Sequence, residues 1–293
     1  MKNFDFLVIG AMKSGTTTIH DLLKMDSRIA LPVGKEAPFF TEADRLAKGF
    51  NAFVKDYYPS DVQGKCIGKV SPQYMAWFDV AASNITKYSP DTKLIAVLRD
   101  PIERLLSHYS MCVAMGLEKR PLNEAISQCL KYGNPKPKGI SRVNSYILWS
   151  EYGRILTTYE RNDPLLLKKL LIIGFDNLVQ QQSVALEKIY KHIGLPLVAK
   201  GFVNKKSLSR GEGGNGFAYF LNKYPVFSKV LVRLLPRRWA GVIRMKKIEA
   251  QIAMNSIAVS RSDIDEALLS KLIELFHEDS MKIKRMGYKP YWS

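Results

Sequence analysis

The hydrophobic positions of the chain fall into short unbroken runs separated by amphipathic stretches. Three runs are typical of buried strands: residues 6–9 (FLVI), 93–98 (KLIAVL) and 170–175 (LLIIGF). After the first and third runs, apolar residues recur at helical spacing: Ile19, Leu22 and Leu23, then Val184, Leu186, Ile189 and Tyr190. Alternating strands and helices predict an α/β fold with a parallel sheet flanked by helices on both faces.

The second run continues into the start of a helix. Asp100 suits the N-cap, Pro101 suits the first helical position, and Glu103 stands where a side chain can close a capping box. We therefore expect this helix to begin at Pro101, directly after the strand.

Two stretches interrupt the alternation. Residues 131–138 combine lysines with prolines and glycine, which indicates an exposed loop. Residues 213–248 contain no acidic residue and eight lysines and arginines, and residues 226–235 within them carry an apolar stripe at helical spacing that Pro236 ends. We expect one domain over residues 1–293 with a basic, partly helical insertion at about 213–248.

The charge balance points to an anionic partner. The 293 residues include 44 Lys and Arg against 27 Asp and Glu, which gives a net charge of +17. A phosphorylated cofactor, an acidic glycan, an anionic membrane or nucleic acid would all satisfy it. The sequence contains no recognition-helix motif or aromatic-studded platform for single strands, so we expect no nucleic-acid partner.

The spacing of cysteines and histidines and the hydropathy of the chain bear on disulfides, metal sites and cellular location. The three cysteines are far apart and form no Cys-x-x-Cys pair, and the four histidines lack metal-ligand spacing, so we expect neither disulfides nor a metal site. No apolar run is long enough to span a membrane or to act as a signal peptide. These features favour a cytoplasmic location.

The first strand leads into a loop suited to an anion. Residues 10–18 (GAMKSGTTT) join strand to helix, where glycines permit close backbone approach and the helix N-terminus adds positive potential. The loop is not a Walker A motif, because Lys13 precedes the second glycine, Gly15. On this string alone, a Gly/Thr-rich turn with a solvated lysine is an equal alternative.

A second anion site is predicted at the end of the next strand. Arg99 follows residues 93–98, and Ser107 lies two helical turns further on, so both can reach one phosphate. Because ligands of open α/β sheets gather at the carboxyl ends of strands, the two sites predict a nucleotide with phosphates at both ends.

These two motifs resemble those of sulfotransferases. Residues 13–18 (KSGTTT) look like the 5′-phosphosulfate loop of that family, and residues 99–109 (RDPIERLLSHY) look like its 3′-phosphate motif. Three further stretches resemble the glycan-type, heparan-sulfate-like and bacterial polysaccharide members: residues 35–40 (KEAPFF), 68–74 (GKVSPQY), and 150–152 (SEY) with Leu156 and Tyr159. The implied fold is P-loop-like, and the implied donor is 3′-phosphoadenosine 5′-phosphosulfate (PAPS), used without a metal.

The resemblance also implies roles for individual residues. Lys13 would offset the charge that develops on the leaving phosphate, Glu36 would act as general base toward the acceptor, and Lys69 would lie near the transferring group. The loop residues and the 3′-phosphate residues would bind the donor: Lys13, Ser14, Gly15, Thr16, Thr17, Thr18, Arg99, Ser107 and, on a loose match, Arg210.

Alternatives stay open at several of these positions. Lys69 is equally compatible with a structural surface lysine, and His108 is a rival base, although it neighbours Ser107 on the helix and points about 100° away from it. Residues 175–178 (FDNL) depart from the family pattern by one charge. An acceptor-binding role is an equal alternative for Arg210.

The expected reaction is sulfuryl transfer to a hydroxyl or amine of a carbohydrate acceptor. Sulfation of a lipid or small alcohol is the alternative, and a P-loop nucleotide kinase is a more distant one. The basic amphipathic stretch 226–235 also suggests peripheral contact with an anionic membrane, with packing on a core or a partner as the other explanation.

Overall fold

The computed structural model of the chain describes residues 3–34, 37–59, 61–132, 142–197 and 257–292, together with isolated positions between 243 and 255. Glu36, Arg210 and almost all of the basic segment 213–248 lie outside the described residues. Their assignments therefore stay predictions from the sequence.

The described residues form a parallel sheet with the strand order β2-β3-β1-β4-β5. Its strands are β1 (Phe6–Gly10), β2 (Ile29–Ala30), β3 (Cys66–Val70), β4 (Lys93–Leu98) and β5 (Leu170–Gly174). Each neighbouring pair runs parallel. The three strands expected from the apolar runs are β1, β4 and β5.

Helices connect the strands and extend beyond them. They are α1 (Thr16–Lys24), α2 (Ala43–Tyr57), α3 (Gln73–Ala76), α4 (Phe78–Tyr88), α5 (Pro101–Ala114), α6 (Leu122–Tyr132), α7 (Tyr152–Asn162), α8 (Pro164–Lys168), α9 (Phe175–Gln180), α10 (Gln182–Ile193) and α11 (Glu266–Arg285). Short 3₁₀ turns occupy Arg142–Asn144, Leu148–Ser150 and Arg261–Asp263. The expected loop at 131–138 begins later than predicted, because α6 continues to Tyr132.

The sheet is buried on both faces, as the continuous apolar runs predict. Phe6 and Val8 point to the face covered by α1 and α10, whereas Leu7 and Ile9 point to the face covered by α4 and α7. All four side chains are fully buried. Burying such a side chain contributes roughly 1.5–3 kcal/mol, so the two apolar layers hold the strand ends in place. The fold is the predicted α/β, P-loop-like sheet with helices on both faces.

The chain changes direction across the sheet at β1 and β4, which are neighbours. After β1 it passes through α1 to β2 at one edge of the sheet, and after β4 it passes to β5 at the opposite edge. A crevice forms beyond the carboxyl ends of strands at such a reversal, and ligands of open α/β sheets bind there.

The C-terminal helix α11 is bound to the start of α7 by direct backbone contact. The carboxylate of Asp279 accepts hydrogen bonds from the backbone N–H groups of Gly153 (2.7 Å) and Arg154 (2.8 Å). A Cβ on Gly153 would lie 2.2 Å from the backbone oxygen of Asp279. Only glycine permits this approach, through which a residue far along the chain caps α7.

We expect Gly153→Ala to lower the free energy of unfolding by about 3 kcal/mol, because the added methyl group forces the two helices apart. For a chain of this length, that corresponds to a decrease in Tm of roughly 5–10 °C. Differential scanning fluorimetry measures it. Glu160→Ala, on an exposed position of the same helix, is the matched control and should change Tm little. A Tm for Gly153→Ala equal to that of the control would contradict the close approach.

Candidate functional site

The loop after β1 has backbone conformations that few residues adopt. Gly15 is the N-cap of α1 with φ of 83°, and a Cβ there would lie 3.0 Å from Leu178 and 3.2 Å from Phe175. Lys13 also has a positive φ of 70°, which is uncommon for a residue other than glycine. The first turn of α1 contains no acidic residue. The start of this helix therefore presents positive potential to an anion.

Ser14 provides a test of whether this loop suits an oxyanion. Its side chain is fully buried, and its hydroxyl lies near that of Tyr152 but makes no hydrogen bond of good geometry to a described residue. A buried polar group of this kind requires an explanation, and the oxygen of a bound phosphate or sulfate is a suitable acceptor. Of the threonines that follow, Thr16 is buried, Thr17 is exposed and Thr18 is half-buried in the first turn of α1.

Arg99 lies next to this loop, at the end of the neighbouring strand β4. Its guanidinium carbon lies 4.9 Å from the centre of the Phe175 ring, and the same ring lies 3.2 Å from the Cβ position of Gly15. The side chain of Arg99 is 23% exposed, so it remains open to a ligand. The structure thus brings both predicted anion motifs next to one aromatic ring.

Two buried residues, neither of which was predicted from the sequence to belong to the site, lie close to these motifs. Burial raises the pKa of Tyr152 to about 12, and the neighbouring Arg104 guanidinium, the Ser14 hydroxyl and the Arg99 backbone oppose part of the rise. Burial lowers the pKa of Arg104 to about 10. Arg104 donates from Nε to the Ser150 hydroxyl at 2.6 Å and from Nη2 to the Tyr146 carbonyl at 2.6 Å. The signal in the sequence from which Arg104 could have been selected is its position among the apolar residues of a helix.

The start of α5 agrees with the sequence prediction in one respect and differs in another. Asp100 caps the helix, since its carboxylate accepts from the backbone N–H groups of Ile102 (2.9 Å) and Glu103 (3.0 Å). The expected capping box does not form. The side chain of Glu103 turns instead to Arg99, and the N–H of Asp100 donates to the hydroxyl of Tyr291 at 3.1 Å. The charged guanidinium group of Arg99 is a stronger partner for the Glu103 carboxylate than a neutral backbone amide.

Lys69 is fully buried on β3, opposite Leu7 of β1. The alternative of a surface lysine is therefore wrong. Lys69 is the last but one residue of β3, toward the carboxyl end that faces the crevice.

Three of the stretches that resemble glycan-type sulfotransferases meet at Tyr74 of α3. The hydroxyl of Tyr74 accepts the backbone N–H of Phe39 at 3.0 Å, and the carbonyl of Tyr74 accepts the hydroxyl of Tyr159 at 2.8 Å. Phe39 and Phe40, three and four positions after the predicted base Glu36, are buried. The chain on the C-terminal side of Glu36 is therefore fixed against the same helix that follows Lys69.

His108, the rival base, occupies a packed position. Its ring stacks on Trp149, with centroids 5.0 Å apart and 10° between the planes, and it meets the ring of Tyr146 edge-on at 4.8 Å. The residue is fully buried. This packing favours a structural role, in line with the preference for Glu36. Ser107, its neighbour on α5, is only half-buried.

The described residues also bear on metal binding and on membrane crossing. The described residues contain no group of three or more His, Cys, Asp and Glu side chains that could hold a metal ion. None of the described helices is long and apolar enough to cross a membrane.

Comparison with known proteins identifies relatives that are similar to this chain in sequence. The sulfotransferase domain family matches residues 3–207. Heparan sulfate glucosamine 3-O-sulfotransferase 3A1 of Mus musculus is 29% identical over 244 residues, which are 78% of this chain and 58% of that protein. Heparan sulfate glucosamine 3-O-sulfotransferase 6 of Homo sapiens is 30% identical over 221 residues, which are 71% of this chain and 59% of that protein. The chain spans about three fifths of the length of these relatives.

A solved structure shares the fold. The crystal structure of a sulfotransferase from Alicyclobacillus acidocaldarius matches with a TM-score of 0.58 at 18% identity, over 76% of this chain and 92% of that one. The family match covers well over half of the chain, including both anion motifs. The chain therefore belongs to the sulfotransferase family.

Proposed function

We propose that the protein transfers the sulfuryl group of PAPS to a hydroxyl or amine of a carbohydrate. The observation that carries this proposal is the placement of the Lys13 loop and Arg99 beside the same residue, Phe175, at the carboxyl ends of adjacent strands. Two cationic motifs at one crevice suit a donor with anionic groups at both ends. We also propose that residues 1–293 form a single domain.

The donor would be held by two sets of residues. Residues 13–18 would bind its 5′ end through the backbone and hydroxyl groups of the loop, and the buried Ser14 hydroxyl fits an anionic oxygen. Arg99 and Ser107, with Arg210, would bind the 3′-phosphate. When bound, PAPS supplies the sulfuryl group and carries the phosphate that leaves. Lys13 would offset the negative charge on that phosphate, an electrostatic contribution typically worth 10²–10³ in rate.

The acceptor would be activated by Glu36 acting as general base, with Lys69 close to the transferring group. The family's pattern supports this assignment. Further support comes from the anchoring of Phe39 against Tyr74, which ties the segment after Glu36 to the helix after Lys69. No metal is required in this scheme, because backbone amides and lysines carry the charge.

A carbohydrate acceptor is supported by the relatives, which are named as heparan sulfate glucosamine 3-O-sulfotransferases. The high positive charge also suits an acidic glycan. A lipid or small alcohol is the alternative acceptor. Peripheral contact with an anionic membrane through the segment 213–248 stays a prediction from the sequence, as does the cytoplasmic location.

The proposed function is tested by incubating the protein with PAPS labelled in its sulfuryl group and a panel of oligosaccharides, lipids and phenols. Label in the oligosaccharides supports the proposal, whereas label in lipids or phenols alone would support the alternative acceptors. A magnesium-dependent phosphoryl transfer without sulfuryl transfer would favour a nucleotide kinase and overturn it.

Donor recognition gives a separate prediction. We expect 3′-phosphoadenosine 5′-phosphate (PAP) to bind roughly ten- to a hundred-fold tighter than adenosine 5′-phosphate without magnesium, because one charge-assisted contact to the extra phosphate contributes about 1.5–3 kcal/mol. Isothermal titration calorimetry measures both affinities. Equal affinities would contradict the assignment of Arg99 and Ser107.

A further inference from the structure

A carboxylate stands between the two residues assigned to the 3′-phosphate. Glu103 follows Arg99 by four positions and precedes Ser107 by four positions, and residues four apart on a helix are neighbours. The Oε2 atom of Glu103 lies 3.4 Å from Nη2 of Arg99. An acidic side chain therefore lies beside Arg99, one of the residues proposed to bind the 3′-phosphate.

A second arginine reaches the same carboxylate from a distant part of the chain. The Nε atom of Arg261, in the 3₁₀ turn before α11, lies 3.4 Å from Oε1 of Glu103. Arg261 also forms an ion pair with Asp100, the N-cap of α5. Glu103 thus lies between two guanidinium groups, each 3.4 Å from one of its two oxygens, and guanidinium groups are the usual partners of a phosphate.

The contact of Glu103 with Arg99 is local, whereas its contact with Arg261 joins distant parts of the chain. The third helical position usually directs a glutamate back to the N-cap amide, but that amide donates to Tyr291, and Glu103 faces the arginines instead. The side chains of Glu103 and Arg261 are 41% and 42% exposed. Neither is locked in a core, so the carboxylate is able to rotate into solvent.

We propose that Arg261 is a further guanidinium of the 3′-phosphate site, beside Arg99, and that the Glu103 carboxylate occupies the place of this phosphate until the donor binds. The inference rests on the proposed function and adds a residue that lies beyond the matched residues 3–207. A phosphate monoester carries more charge and more acceptor oxygens than a carboxylate, so it displaces Glu103 from both arginines. A nucleotide without a 3′-phosphate has no group that does so.

Glu103→Gln tests the proposal through the sign of its effect. Removing the competing charge should tighten PAP binding by about two- to ten-fold, since each partly exposed ion pair contributes little more than a fraction of a kcal/mol. The affinity for adenosine 5′-phosphate should stay within two-fold. If Glu103 instead aligned Arg99 for the phosphate, the same variant would weaken PAP binding, and that result would overturn the proposal.

Arg261→Ala tests the further guanidinium. We expect PAP affinity to fall about ten-fold while the affinity for adenosine 5′-phosphate is retained, and Arg261→Lys should restore part of the loss. A merely structural role for Arg261 would lower both affinities together and leave their ratio unchanged. An unchanged ratio in Arg261→Ala would therefore overturn the proposal, whatever its effect on Tm.

Asp61→Asn is the matched control for the loss of one negative charge. Asp61 pairs with Lys65 at 3.2 Å on an exposed surface before β3, at the opposite end of the sheet from the crevice. Its PAP affinity should equal that of the wild type. A gain in Asp61→Asn as large as in Glu103→Gln would assign the effect to net charge and overturn the proposal. If the wild type binds PAP and adenosine 5′-phosphate equally well, the proposed donor is wrong. If the wild type distinguishes them but the Glu103 and Arg261 variants behave like the wild type, only the present inference is refuted.

Discussion

Lys13→Ala is expected to lower turnover by about a hundred-fold or more and to weaken PAP binding, while the fold persists. The first effect follows because an alanine cannot offset the charge that develops on the leaving phosphate. The fold should persist because Lys13 is only half-buried and has a positive φ of 70°, a conformation that costs alanine about as much as lysine. Initial rates with labelled PAPS, calorimetry with PAP and a Tm measurement check the three statements.

Lys24→Ala is the control for this variant. Lys24 is an exposed residue in the last turn of the same helix, α1, so its removal changes the net charge equally without approaching the loop. Over the length of α1, roughly 12 Å, its charge is largely screened at physiological salt. Its turnover should stay close to that of the wild type. Comparable turnover in the two variants would show that Lys13 contributes only general positive charge.

The sequence predicts three neighbouring strands of the sheet well because the relevant signals are local. The runs that became β1, β4 and β5 are short and apolar, and a buried parallel strand needs nothing else. The cap at Asp100 is equally local, since the acceptor and the two amides it binds lie within three residues. Likewise, the order of strands and loops puts Lys13 and Arg99 at one edge without knowledge of any long-range contact.

The expectations that were wrong depend on residues far apart in the chain. The capping box does not form because Tyr291 accepts the N–H of Asp100, and Glu103 pairs with Arg261 as well as with the nearby Arg99. Lys69 is buried because neighbouring strands and helices cover its strand, which a lysine in a short strand pattern does not reveal. The same holds for the cap of α7, which Asp279 supplies from α11. Single-sequence patterns carry no signal for such pairings.

The chemistry of a site and its scaffold are predictable to different degrees for a related reason. Lys13, Arg99 and Ser107 belong to motifs in which one segment of chain holds one anion, so each motif can be recognised by itself. Tyr152 and Arg104 connect the motifs from the interior, and their importance emerges only once burial and proximity are known. The motifs in the sequence therefore indicate the residues proposed to bind the donor, and they do not indicate the buried residues behind them.

Glu36→Gln is expected to reduce turnover by at least about a hundred-fold and to leave PAP affinity nearly unchanged. The amide has the shape of the carboxylate but does not accept the proton of the acceptor hydroxyl, so the loss falls on the chemical step. Lys13→Ala differs because Lys13 belongs to the donor loop. The contrast in PAP affinity between the two variants, measured by calorimetry alongside initial rates, separates a group that serves the acceptor from one that serves the donor.

Glu42→Gln provides the matched control for the predicted base. Glu42 is an exposed glutamate at the N-cap of α2, its side chain makes no capping hydrogen bond, and it lies six positions after Glu36. Its turnover and PAP affinity should both match the wild type. If Glu36→Gln retained near-normal turnover, the base would lie elsewhere. His108 would then be the next residue to replace, and an active His108 would have to leave its stack on Trp149, so His108→Gln should be compared with Trp149→Phe to separate lost basicity from lost packing.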